Sequence, residues 1–478
     1  MFPAGIELHI GLILLLYARL KTTAARTLSG VCVMALALGC WQPARAQDLT
    51  EGMLLSDTEI DATLAEMARP VIEAGHLVPG NVRLHMIVDD SINAFVNSST
   101  DMFLNTGLLL KSKTPNEVIG VMAHETGHIV GGHTVMVSSD MAAVNSISLL
   151  STLLGVAAGI ATGNPEVGLA IMMGGQRAAL GRFLSFTRSQ EGRADQFALQ
   201  ALDDTHQSAQ GLYNFFERLR GEELLISTNQ DPYVRSHPIT TDRMEVVGAW
   251  VKKAHYSTAE DNPELVQKYR RMVAKLFAFL KPQIATLQKY PESDKSIEGR
   301  YARAIAYYRR GQFDKALPIV DNLLTDLPKD PYFWQIKGDM LLSKAKIDDA
   351  VVAYRESIKY LPNAPEILTG MSRAMNESNN PEYFPETEKN LKHALELDPN
   401  NPDTWDLLAA AYAHNDKPGL SAYAAAERAI LTEQFGDVAR YTIQAEKLLE
   451  KDTPIWYRLQ DIKILAQNSL HDMKGRRR

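Results

Sequence analysis

From residue 297 onward the chain repeats itself every 34 residues. Ala304, Ala316 and Pro328 return as Gly338, Ala350 and Pro362, and Tyr307 is answered by Leu341. Gly311-Gln312-Phe313 likewise returns as Ala345-Lys346-Ile347. Small residues at fixed points let two helices approach closely, and the proline closes each unit because its ring cannot continue a helix. A third unit ends at Ala394-Leu395-Glu396-Leu397-Asp398-Pro399, three residues late (399 − 362 = 37). A fourth begins at Trp405 with Leu408, Ala409 and Tyr412, and its last helices run to about Ile464. Such a register predicts stacked helix pairs, each touching only its neighbours, with a concave face that takes a peptide or protein.

This helix-pair unit resembles the tetratricopeptide repeat, expected here over 296–465. A basic tail, 466–478, follows it, and a helical linker, 276–295, precedes it. At the other end Arg19, Lys21 and Arg26 come before the apolar run Val31–Cys40, and Ala44-Arg45-Ala46 supplies a small-x-small cleavage signal. Residues 1–46 therefore read as a signal peptide, with Gln47 as the mature start and the periplasm as the destination. The run is too short for a stable spanning anchor. An upstream run, Ile6 to Ala18, lengthens the leader, and Leu38-Gly39-Cys40 leaves lipoprotein anchoring at Cys40 as an alternative. Both cysteines, Cys32 and Cys40, lie in the leader, which excludes disulfide and thiol chemistry from the mature chain. Without 1–46 the balance is 46 basic (50 − 4) against 56 acidic (57 − 1) residues, or net −10, which argues against a nucleic-acid partner.

Residues 47–275 carry the chemistry. An opening helix, Asp57 to Gly75, leads into strand-like runs at Val82–Val88, Ile92–Val96 and Asp101–Thr106. Met102 to Leu104 is the candidate strand for pairing with an extended substrate; an ordinary small sheet is the alternative. Then Val121-Met-Ala-His-Glu-Thr-Gly-His-Ile-Val130 places H-E-x-x-H inside an apolar, helix-patterned segment. His124 and His128 lie one turn apart on one face, so both imidazoles reach one metal ion. Glu125 points the same way and can take a proton from an attacking water. Two histidines leave a zinc ion short of ligands. His133 falls one residue early for the spacing H-E-x-x-H-x-x-G-x-x-H, with Thr134 standing where the histidine should be, and it reads as a helix-end residue. Glu191 is the better third ligand. Asp195, four residues on and on the same helix face, suits orienting a ligand histidine or moving a proton. The bland alternative is two acids on a solvated face, paired with Arg188 and Arg193.

Between these helices lie the apolar runs Ile147–Ala161 and Val167–Gly175, read as a helical hairpin packed over the active-site helices. A peripheral membrane contact through 147–175 is the alternative, since each run is too short to span.

The H-E-x-x-H helix, the Glu-x-x-x-Asp helix and Arg235-Ser-His-Pro-Ile-Thr-Thr-Asp-Arg243 together resemble the zinc endopeptidase superfamily that includes HtpX and the CAAX prenyl proteases. The Ser-His-Pro…Arg segment is matched at Ser236, His237, Pro238 and Arg243. With the repeats added, the architecture is similar to the BepA-type periplasmic metalloproteases of outer-membrane quality control. The resemblance implies a mainly α chain: a zincin-like α+β metallopeptidase domain with a small sheet, then an all-α tetratricopeptide solenoid. It also implies one zinc held by His124, His128 and Glu191, with Glu125 as base. His237 either stabilises the oxyanion, or closes the metal as a fourth ligand, or simply packs near Arg243. The expected function is a zinc endopeptidase that degrades misfolded or stalled envelope proteins, with repeats that recruit substrate or the outer-membrane assembly machinery. The alternative is a chaperone or scaffold whose protease is latched off. The intact Glu125 favours the enzyme.

Overall fold

The computed structural model describes residues 51–133, 151–152, 154, 165–220, 232–378 and 380–475. The leader, with both cysteines, and most of 147–161 lie outside the described residues. Asp48–Arg478 forms one compact unit.

Asp57 caps the first helix, α1 (Thr58–Ala74), accepting hydrogen bonds from the backbone N–H groups of Glu59 and Ile60 at 3.1 Å each. One face of α1 buries Ile60, Leu64, Met67, Ala68, Val71 and Ile72. Beside it stands a four-stranded sheet of β1 (Leu54–Leu55), β2 (Arg83–Ile87), β3 (Ala94–Val96) and β4 (Asp101–Asn105), in the order β1-β2-β4-β3. β4 runs parallel to β2 and antiparallel to β3, with Met102 opposite both Leu84 and Val96. Met102–Leu104 is thus paired on both sides and has no free edge for a substrate. The outer strands are β1 and β3, and β3 packs against the histidine-bearing helix α3 (Pro115–Val130); the short α2 (Thr106–Lys111) joins β4 to α3.

α4 (Pro165–Asp204) is a single helix of 40 residues. The expected hairpin arm Val167–Gly175 and the Glu191 segment are therefore the same element. Within it Leu169, Ile171 and Met173 are exposed, so this arm is not packed over the active-site helices at those positions. No described helix is long and apolar enough to cross a membrane. α5 (Gln210–Leu219), α6 (Pro232–Ser236) and α7 (Thr241–Val251) complete this part.

α8 (Pro263–Leu280) spans residue 275, where the boundary was expected. It is apolar on two faces. Tyr269, Met272 and Leu276 join the core of α1 and the sheet, while Ala274 and Ala278 join that of the first repeat. After α9 (Gln283–Lys289) come helix pairs α10/α11 (Ile297–Tyr308, Phe313–Asp326), α12/α13 (Pro331–Ser343, Ile347–Tyr360) and α14/α15 (Pro365–Ser378, Phe384–Leu397). α16/α17 (Pro402–His414, Pro418–Leu431) and α18/α19 (Phe435–Glu446, Pro454–Gly475) follow, so the last helix runs past residue 465. The small positions of the period mark close helix contacts. A Cβ on Gly338 would stand 2.8 Å from the ring of Tyr354.

Charges on α8 join the two cores. Lys275 Nζ lies 2.7 Å from Asp57 Oδ1 and 3.2 Å from Glu59 Oε2. Arg271 pairs with Glu59 and, at 2.6 Å, with Asp330, the N-cap of α12. Tyr301 of α10 donates its hydroxyl to Glu59 Oε2 at 3.1 Å. Burial alone would raise the Glu59 carboxyl and lower the Lys275 ammonium. The opposite charges win, holding Glu59 below its ordinary range and Lys275 well above. Replacing Lys275 with Met leaves the buried Glu59 and the partly buried Asp57 beside a single cation. The expected loss is about 3 kcal/mol in urea unfolding, as for other buried pairs deprived of one partner. A loss below about 1 kcal/mol, the scale of a surface pair, would show the network to be dispensable.

Candidate metal centre

α3 begins at a capping arrangement: Thr114 Oγ1 accepts from Glu117 N at 3.3 Å, and Glu117 reaches back to Lys113 N at 3.1 Å. Pro115 sits at the first turn, where its missing N–H costs nothing. Every residue from Pro115 to Ile129 is buried, so His124, Glu125 and His128 are held inside the molecule. Gly127, between the two histidines, is where α4 crosses. A Cβ there would stand 2.9 Å from both Cα and the carbonyl oxygen of Ala194. That contact between backbones brings Glu191 and Asp195, either side of Ala194, up to the histidines.

One ligating atom from each of His124, His128, Glu191 and His237 lies within 4.8 Å of the other three. His124 Nε2 is 3.1 Å from His128 Nε2 and 3.3 Å from His237 Nδ1. Glu191 oxygens lie 3.3 Å from His124 Nε2, 3.4 Å from His128 Nε2 and 3.1 Å from His237 Nδ1. Around a tetrahedral ion with bonds of about 2.0–2.1 Å, neighbouring ligands are separated by about 3.3 Å. Five of the six edges therefore fit such an ion, and the donor set of imidazoles and a carboxylate is the right chemistry for one.

Behind these groups stands a second layer. Asp195 Oδ1 lies 2.9 Å from His124 Nδ1. Arg243 of α7 grips Asp195 with Nε and Nη2 at 2.6 and 2.8 Å, and its Nη1 is 3.0 Å from Glu191 Oε2 and donates to Pro238 O at 2.8 Å. The two acids thus face Arg243 inside the protein, not water. Tyr233 of α6 stacks on His237 with centroids 4.8 Å apart. Burial opposes charge throughout the cluster, and at Glu191, Asp195 and His124 the neighbours prevail. His237 and His124 hold Glu191 well below, and Arg243 and His124 hold Asp195 below, the usual carboxylate range. Burial would lower His124, but Asp195 and Glu191 push it up to about 9. His128 goes the other way, down to about 2, through burial and the neighbouring His124 and His237. Both oxygens of Glu125 are buried without a hydrogen-bond partner among the described residues, and burial pushes its carboxyl up. The nearest ring nitrogen is His237 Nε2 at 3.6 Å. A buried acid left without a partner costs stability and marks a working group.

The structure thus gathers all six residues singled out from sequence: His124, Glu125, His128, Glu191, Asp195 and His237. His133 stays out of the ligating cluster. Sequence reasoning missed the roles of Arg243 and Tyr233 as supports; the Ser-His-Pro…Arg match was the one signal for Arg243.

Fold and cluster define a metallopeptidase. Residues 55–251 match the profile of Peptidase family M48. It is similar to the putative beta-barrel assembly-enhancing protease of Vibrio cholerae, 23% identical over 83% of this chain and 82% of that one. The beta-barrel assembly-enhancing protease of Escherichia coli K12 is 21% identical over 75% of this chain and 73% of its own length. Metalloprotease YcaL of the same strain is 26% identical over 47% of this chain and 82% of its own. Among solved structures, yeast Tom70 superposes over 76% of this chain and 85% of its own, with 13% identity and a TM-score of 0.32.

Gly127→Ala tests the crossing. Alanine is the better helix former by about 1 kcal/mol, whereas forcing a methyl into packed backbone costs about 1–3 kcal/mol. The variant should melt lower and retain less metal than the wild type. A more stable variant with full metal content would contradict the close approach.

Proposed function

We propose that this chain is a zinc endopeptidase of the periplasm that cleaves misfolded or stalled outer-membrane and periplasmic proteins. The observation that carries the reading is the near-tetrahedral set of His124, His128, Glu191 and His237 beside the unpartnered Glu125. Zinc held by His124, His128 and Glu191 would polarise the scissile carbonyl and make water a competent nucleophile at neutral pH. Glu125 accepts the proton of the attacking water and delivers it to the leaving amine. Asp195 fixes the ring of His124 and is itself fixed by Arg243. An extended substrate adds to the free edge of β3, which lies against α3. The names of the relatives support β-barrel proteins of the outer membrane as substrates, and the stacked helix pairs support recruitment of substrate or assembly machinery.

A second reading, a chaperone or scaffold with its protease latched off, is favoured by one placement. Catalytic zinc sites keep a position open for substrate, and His237 Nδ1 occupies that fourth corner. We read His237 as a latch rather than an oxyanion donor, because its Nδ1 faces the ligating atoms and not a point beyond them.

One experiment sorts these roles: zinc content and cleavage of an unfolded outer-membrane β-barrel protein by the purified mature chain. Glu125→Gln should keep zinc and lose cleavage by about 10² or more, the usual scale for a removed general base. Glu191→Gln should lose zinc, and His237→Ala should keep zinc and cut faster. Undiminished cleavage by Glu125→Gln would remove that residue from the mechanism, and slower cleavage by His237→Ala would make His237 an oxyanion donor.

A further inference from the structure

The groups that converge on the centre differ in what stands behind them. His124 has Asp195 at its far nitrogen, and Glu191 has Arg243 at its second oxygen. His128 also has a partner, but an unusual one. His133 Nδ1 lies 2.9 Å from His128 Nδ1, with the two rings edge to face at 79°. His237, by contrast, turns Nε2 toward Glu125 at 3.6 Å, beyond hydrogen-bond reach.

His133 reaches this place by a local device. The chain leaves α3 through Gly131 and turns at Gly132, whose φ of +62° suits glycine. That turn folds the His133 ring back beneath the last turn of α3, where it is buried. Its ring then occupies the space in which Gly131 would carry a side chain. A Cβ on Gly131 would stand 2.4 Å from His133 Nε2. The backbone at Gly131 is right-handed helical, φ −71° and ψ −10°, and would accept alanine unchanged.

We propose that His133 is a positioning residue for the metal, acting through His128. His128 presents Nε2 to the other ligating atoms, so its proton resides on Nδ1 and is donated to His133 Nδ1. That bond selects the ligating tautomer of His128 and fixes its ring, the work a carboxylate or carbonyl does behind most metal-binding histidines. The inference rests on the reading of this centre as a zinc site.

The test is zinc affinity of the full mature chain, measured by competition with a chromophoric chelator, with the melting temperature of the metal-free protein measured alongside. His133→Leu fills the space but accepts no proton, and should weaken affinity about 10–100-fold, the scale for lost outer-shell partners. His133→Asn places an oxygen near the position of Nδ1 and should restore affinity to within about threefold of wild type, because only the acceptor is needed. Gly131→Ala leaves His133 in the sequence but evicts its ring, and should match His133→Leu. The metal-free melting temperatures of all three should stay near wild type. Unchanged affinity in His133→Leu overturns the inference, as does equal weakening in His133→Leu and His133→Asn accompanied by lower metal-free melting, which is a packing effect. A wild-type chain that takes up no zinc overturns the reading of the centre itself and this inference with it.

Discussion

Everything at the centre depends on how closely two helices cross. α3 supplies His124, Glu125 and His128, and α4 supplies Glu191 and Asp195, but neither helix alone offers a cation three ligands. Gly127 has no side chain to hold α4 away, so the backbone of Ala194 comes into contact with α3 between the two histidines. The periodicity of each helix then does the rest: residues one turn apart share a face, and the two faces meet.

Such a crossing concentrates charge inside the protein, which is costly unless each group is answered. Here the answers are arranged in layers. Imidazoles and Glu191 converge on one point, Asp195 and Arg243 stand behind them, and Arg243 lies over the ring of Phe216 at 4.8 Å. Glu125 is the exception, buried with no hydrogen-bond partner among the described residues. A second network, the buried Glu59 and Lys275 with the partly buried Asp57, Arg271 and Asp330, joins α1 and α8 to the repeats. The repeats and the peptidase fold share α8, which packs into both cores.

Much of this was legible from the chain. H-E-x-x-H and Glu191/Asp195 are helical spacings of residue types with few other uses in a buried helix, and the 34-residue register of Ala304, Ala316 and Pro328 declares stacked pairs directly. What stayed hidden depends on distance in space. Nothing in the run Asp101–Thr106 says that β4 is covered on both edges, because pairing partners come from β2 and β3. The continuity of α4 through Val167–Gly175 and Glu191 is invisible to a composition that changes from apolar to charged along it. His133 reads as a helix-end residue along the sequence, and only in space does its ring turn back on His128. The bonds of Arg271 to Glu59 and Asp330 link residues far apart in sequence, and no local pattern marks them.

The central claim is that α3, α4 and the loop carrying His237 hold one zinc ion between them. Anomalous diffraction at the zinc absorption edge from crystals of the purified protein tests it most directly. The account predicts one strong peak per chain, within bonding distance of His124 Nε2, His128 Nε2 and a Glu191 oxygen, with Glu125 nearby but not bound. A peak elsewhere in the chain, or one at the histidines with Glu191 turned away from it, would contradict the account.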